Sequence, residues 1–150
     1  MKALLCLGLA LLVAASACAS GSGRLSESQY QAKLRSAFLA ANAELNSPRT
    51  LDSIDELKRV PKAYSEISRA LTGLKVPTAV QALNDRLAAA AAHRAAALNS
   101  LVGRLQAASP ADRKRLLAEF DTSAAARDDF DATVKALAAK GYRFRQSGGT

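Results

Sequence analysis

Very little in this chain advertises chemistry. Its 150 residues include no Trp, one Met, one His, two Cys, four Phe and three Tyr. Proton relays and metal clusters need partners, and a solitary imidazole has none. A di-iron carboxylate bundle needs paired Glu-x-x-His motifs, but the residue three before His93 is Ala90. A haem held by a second, thioether ligand is excluded because the sole methionine is Met1. The sequence also lacks Gly-x-Ser-x-Gly, Ser-x-x-Lys, His-Glu-x-x-His, a phosphate loop and Gly-x-Gly-x-x-Gly. We therefore expect a non-enzyme with no catalytic residue, no metal site and no cofactor. The few aromatics give no base-stacking platform, so no nucleic-acid partner is expected. Helix breakers are scarce too, with four Pro and eight Gly against 34 Ala. That composition predicts an all-α chain, and its length predicts a single domain.

Long apolar runs are also missing. The longest lies at residues 3–15, 13 uncharged positions behind Met1-Lys2, interrupted by Gly8. A membrane-spanning helix needs about 20 apolar residues, whereas this run has the length of a signal-peptide core. Residues 1–17 are therefore expected to be a signal peptide. The run ends at Ala15-Ser16-Ala17-Cys18, before a Gly/Ser segment. This motif resembles the lipobox of bacterial lipoproteins, with Ala15 where Leu or Val is commoner. The resemblance implies that Cys18 carries diacylglycerol and becomes the new N-terminus. Residues 18–24 would then be the lipidated cysteine and a short flexible tether. The alternative is ordinary cleavage after Ala17 or Ala19, giving a freely secreted protein. In either case Cys6 departs with the signal, and the exported chain needs no disulfide.

Residues 25–145 show four amphipathic segments, each opened by a start signal. Ser26-Glu27-Ser28-Gln29 is a capping box, with Leu25 and Tyr30 as a hydrophobic staple. Tyr30, Leu34, Phe38, Ala41 and Leu45 then mark the apolar face of helix 1. Ser47-Pro48 opens helix 2, in which Leu57, Val60, Tyr64, Ile67, Leu71 and Leu74 alternate at spacings of three and four. Leu51 and Ile54 lie out of that register, and Pro61 between the two predicts a kink or break. Thr78 to Gln81 is a second capping box, opening helix 3, which runs to about Ala108. Ser109-Pro110-Ala111-Asp112 opens helix 4, which stops at Gly141. Short connections predict a monomeric up-down-up-down four-helix bundle. The alanine-rich waist around residues 88–97 of helix 3 reads as a packing device. The tail from Arg143 loses helical pattern and is expected to fray, with residues 146–150 disordered.

With Lys2 removed, 20 basic residues face 13 acidic ones, a formal charge of +7. A basic exterior can be drawn to anionic headgroups or acidic envelope polymers. His93 falls off the seam of Leu83, Leu87, Leu98, Leu101 and Leu105, so it is expected in solvent. Two arginines do not fall off their seams. Val80, Leu87, Arg94, Leu101 and Ala108 form one heptad line, and Phe120, Arg127, Val134 and Gly141 another. Antiparallel pairing about Ser109 sets Arg94 opposite Ala124 and Arg127 opposite Ala91. A buried guanidinium needs a carboxylate or an anion. Arg94 and Arg127 could therefore hold a small anionic ligand between them. Otherwise they snorkel outward or pair with Glu56, Asp128 or Asp131.

The Ala/Arg/Leu bias, Cys18 and the Leu74-x-x-Pro77 hinge are similar to those of small helical lipoproteins of high-GC Gram-positive bacteria. That resemblance implies location and fold: a lipid-anchored bundle on the extracytoplasmic face of the cell membrane. Its partners would be the membrane, through the anchor, and a protein or acidic envelope polymer.

Overall fold

Ser26 starts the first helix by exchanging two hydrogen bonds with Gln29. The Ser26 backbone N–H donates to Gln29 Oε1 (2.8 Å), and the Gln29 N–H donates to Ser26 Oγ (3.2 Å). This is the expected capping box. The computed structural model describes residues 23–45, 57–122 and 125–144, excluding the side chains of 44, 45, 121, 122 and 125–128. Helix α1 spans Glu27–Leu45 and buries Tyr30, Leu34, Ala37 and Ala41 along one stripe. Phe38 sits half-buried at the stripe's edge, packed against the same core.

Helix α2 spans Arg59–Leu71 and buries Pro61, Ala63, Ile67 and Leu71. Pro61 lies in its first turn, where a backbone N–H has no intrahelical partner in any case, so the missing donor costs little. Residues 46–56, including the expected start at Ser47-Pro48 and the pair Leu51 and Ile54, lie outside the described residues. The helix closes as Gly73 takes φ +75°, a conformation that only glycine adopts freely.

The second capping box does not form. A 3-10 turn, Thr78–Val80, precedes helix α3 (Gln81–Ala107), and neither start carries a side-chain cap. Gln81 turns instead to the extended linker before it. Its Oε1 accepts from the Val76 N–H (3.1 Å) and from Arg24 (2.9 Å), while Nε2 donates to the Leu74 carbonyl (3.1 Å). The linker has no ladder of its own, so its backbone groups need such partners.

Helix α3 is about 40 Å long at 1.5 Å per residue. It contacts α2, α4 (Pro110–Thr122) and α5 (Ala125–Ala139), most extensively α2. Ala88, Ala90, Ala91 and Ala95 of the waist are buried, so the packing expectation for this stretch holds. The fourth helix expected from the sequence is described as two stretches, α4 and α5, on either side of positions 123–124, which lie outside the described residues. Ser109 caps α4 as expected, its Oγ accepting from the Asp112 N–H (3.3 Å). Leu116 of α4 joins Leu101 and Leu105 in a small separate cluster, whereas Phe130 and Leu137 of α5 belong to the main core with α1, α2 and α3. All described regular structure is helical: five α-helices and the 3-10 turn, without a strand.

Gly141 ends α5 where the sequence places the stop. Its φ is +92°, the Gly141 N–H bonds Ala138 O (2.9 Å) and the Tyr142 N–H bonds Leu137 O (3.2 Å). These two bonds are the Schellman closure, and Tyr142 folds into the core beside Leu137. Gly103 offers a contrast within α3, with open space where a Cβ would stand. Gly141→Ala should lower unfolding free energy by about 1–2 kcal/mol, and Gly103→Ala should raise it by about 1 kcal/mol. Urea titration of both variants checks the pair of opposite signs.

Candidate functional site

Arg94 is the buried cation of α3, 7% exposed among Ala90, Ala91 and Ala95. Small neighbours leave room for a guanidinium that larger ones would fill. Tyr64 from α2 and Phe130 from α5 meet edge to face, ring centroids 5.2 Å apart. The guanidinium carbon lies 5.2 Å from the Tyr64 centroid and 4.9 Å from that of Phe130, against both rings. Its Nη1 also donates to the Tyr64 hydroxyl (3.1 Å). Asp131 receives two longer bonds, 3.4 Å and 3.5 Å, on its two oxygens. The charge is thus compensated by two π faces, a hydroxyl and a carboxylate whose side chain is 59% exposed.

The partner is Asp131, not the layer around Ala124. Phe130, Thr133 and Leu137 are the buried positions of α5, whereas Val134 is half-buried and Gly141 exposed. The heptad line from Phe120 through Arg127 crosses positions 123–124, which lie outside the described residues; its members Phe120 and Val134 are half-buried, and the buried positions are Leu116, Phe130 and Leu137, on the neighbouring line. The Thr133 hydroxyl satisfies itself on the Asp129 carbonyl (2.7 Å). The backbone of Arg127 belongs to α5, while its side chain, like all of Cys18, lies outside the described residues. His93 is exposed, as its position off the seam predicts.

Beside this layer opens a cavity of about 230 Å³, lined by Phe38, Tyr64, Phe130 and Phe144 with Asn42 and Asp131 as polar members. An apolar cavity of about 150 Å³ accepts benzene, so a single aromatic ring fits within this volume. Phe144 belongs to the tail that the sequence pattern expects to fray from Arg143, and the structure corrects that expectation at Arg143 and Phe144, whereas residues 145–150, with the expected disorder at 146–150, lie outside the described residues. Gln31 pins the segment: its Nε2 donates to the Arg143 carbonyl (2.5 Å) and its Oε1 accepts from the Arg143 N–H (2.8 Å). Phe144 then packs on Phe38 with centroids 4.7 Å apart. The amide carries both the donor and the acceptor that these two backbone groups need, but nothing local in the sequence marks Gln31 for that role.

Two further buried polar groups stand near the opposite end of α1. Tyr30 is fully buried against Tyr142, centroids 5.1 Å apart, and its hydroxyl has no partner among the described residues. Burial, with Tyr142 and Asp85 nearby, holds this hydroxyl neutral well above the ordinary tyrosine range. Asn84 donates to the Leu71 carbonyl (3.1 Å), but its oxygen is likewise unpartnered. No group of three or more His, Cys, Asp or Glu among the described residues is placed to hold a metal ion, and no described helix is long and apolar enough to cross a membrane.

Comparison of the chain with protein-family models, curated proteins and solved structures gives no match.

Two outcomes follow from this geometry. Asp131→Asn should cost about 1–2 kcal/mol, above an exposed ion pair but below a fully buried one. A double-mutant cycle with Arg94→Met should recover most of that cost as coupling. Tyr30→Phe should stabilise by about 1 kcal/mol, because it deletes a buried hydroxyl without a partner. The fold retains the tyrosine proton that the unfolded chain releases near pH 10. Stability therefore falls as pH rises above that value, and Tyr30→Phe should flatten the decline in alkaline melts.

Proposed function

We propose that the chain is a non-catalytic, exported lipoprotein, held on the extracytoplasmic face of the cell membrane through Cys18. There it acts by contact with another protein or with acidic envelope polymer. The observation that carries this reading is Ala15-Ser16-Ala17-Cys18 at the end of an apolar run, five residues before Gly23, the first described residue. The local closure of the first described residues supports it, since Ser26 and Gln29 cap α1 and the Leu25 N–H bonds Lys75 O (2.7 Å). The body is read as a monomeric four-helix up-down bundle, with α4 and α5 together forming the fourth member and the chain before α2 extending the second past Pro61. A freely secreted bundle is the alternative.

The aromatic cavity favours a second reading, a binder of a small ligand carrying one ring. An anion between Arg94 and Arg127 draws less support, because Arg94 already faces Asp131.

Cys18→Ser should release the protein from membranes into the medium, and the wild type should enter the detergent phase of a cloud-point extraction. A wild type that stays in the aqueous phase with an unmodified N-terminus overturns the anchor.

A further inference from the structure

The fold gathers cations from three distant parts of the chain at the end where the N-terminal segment enters. Leu25 is bonded to the Lys75 carbonyl, and Arg24 reaches the Val76 carbonyl (2.8 Å). Gln31 holds the Arg143 backbone, and Tyr142 packs on Tyr30, which brings the α5 terminus and Lys140 to the same place. Arg24, Lys75, Lys140 and Arg143 are all exposed there. None has a carboxylate within ion-pair distance among the described residues, and Arg24 bonds only neutral oxygens, those of Val76 and Gln81. The exposed acids nearby are Glu27 and Asp85, and Asp85 is occupied by the Gln81 and Asn84 amides. Three exposed arginines elsewhere have carboxylate partners. Arg86 pairs with Asp129, Arg104 with Glu119 and Arg115 with Asp112.

We propose that this end is a docking face for an anionic lipid bilayer, formed by Lys75, Lys140 and Arg143 with Arg24. The inference rests on the lipoprotein reading, which fixes the orientation. Cys18 and Gly23 are five residues apart, so they can be separated by at most about 18 Å however the chain runs. A lipid on Cys18 therefore keeps this end near the headgroups, close to the range over which surface charge acts, about 8 Å at physiological salt. Cations that close to an anionic leaflet each strengthen binding by about fivefold. Anchoring and docking then cooperate, the acyl chains supplying retention and the cations fixing which end faces the membrane.

The substitutions Lys75→Gln, Lys140→Gln and Arg143→Gln leave the local architecture untouched, since Lys75 meets Leu25, Lys140 meets Leu137 and Arg143 meets Gln31 through backbone groups. The test uses the exported chain, residues 18–150, carrying Cys18→Ser, so that neither an acyl chain nor the apolar run at residues 3–15 contributes. Its binding to phosphatidylcholine vesicles, with and without phosphatidylglycerol, is measured by co-sedimentation. The parent should prefer the anionic vesicles, and the triple variant should lose that preference by on the order of a hundredfold. A control triple of equal charge, Arg59→Gln, Lys114→Gln and Lys135→Gln, should lose far less. Equal losses in the two triples would show a diffuse charge effect and overturn the docking face, as would a parent indifferent to phosphatidylglycerol. Neither result touches the anchor, which is read separately from the modification of Cys18.

Discussion

The close approach of α2 to α3 is the constraint around which the other helices arrange themselves. Ala88, Ala91 and Ala95 present almost no side chain, so α2 can lay Ala63, Ile67 and Leu71 against α3 at short range. Dispersion is weak per contact but summed over a whole helical face, and backbones brought this near gain it along their length. Alanine also carries the best helix propensity, which lets α3 extend over Gln81–Ala107 without large side chains of its own. The cost is volume. A helix with an alanine waist cannot fill a core, so filling must come from neighbours: Tyr30, Leu34 and Phe38 of α1 and Phe130 and Leu137 of α5.

Arg94 makes sense in that setting. Among alanines there is space for its stem, and the guanidinium replaces bulk that the helix otherwise lacks. Full desolvation of a charge would be prohibitive without close compensation. Here compensation is distributed: two ring faces at about 5 Å, one short bond to Tyr64, and a carboxylate at the solvent boundary. Because Asp131 is more exposed than buried, the pair never requires both ions to leave water. The arrangement links α2, α3 and α5 at one level, and the cavity lies against it where Phe38 and Phe144 fail to close the remaining gap.

Helix ends are the most legible part of the sequence. Ser26 with Gln29, Ser109 and Gly141 all act as their residue types require, because capping is decided within four residues of chain. Burial of Arg94 is legible as well, since a heptad line within one uninterrupted helix keeps its phase. The same argument picks the flank of the α5 seam and not its centre, since Val134 is half-buried while Phe130 and Leu137 are buried. Gln81 has the right spacing from Thr78 for a capping residue. A 3-10 turn intervenes, and a long amide can satisfy whichever backbone lies in reach. Phe144 is illegible because the contact that orders it joins residues on opposite ends of the chain.

Gln31 and Gln81 share a physical role that explains why one end of the molecule is both ordered and charged. Each spends its amide on the backbone of a segment without regular structure, Arg143 in one case and Leu74 to Val76 in the other. Backbone groups satisfied by a neutral amide need nothing from the charged side chains of the same segments. Lys75 and Arg143 can therefore stand in solvent while their main chains are fixed. Had carboxylates fastened these loops, their charge would have cancelled that of the lysines and arginines around them. The choice of amides over acids holds the end together and leaves its positive field intact, which is the property a surface facing anionic headgroups requires.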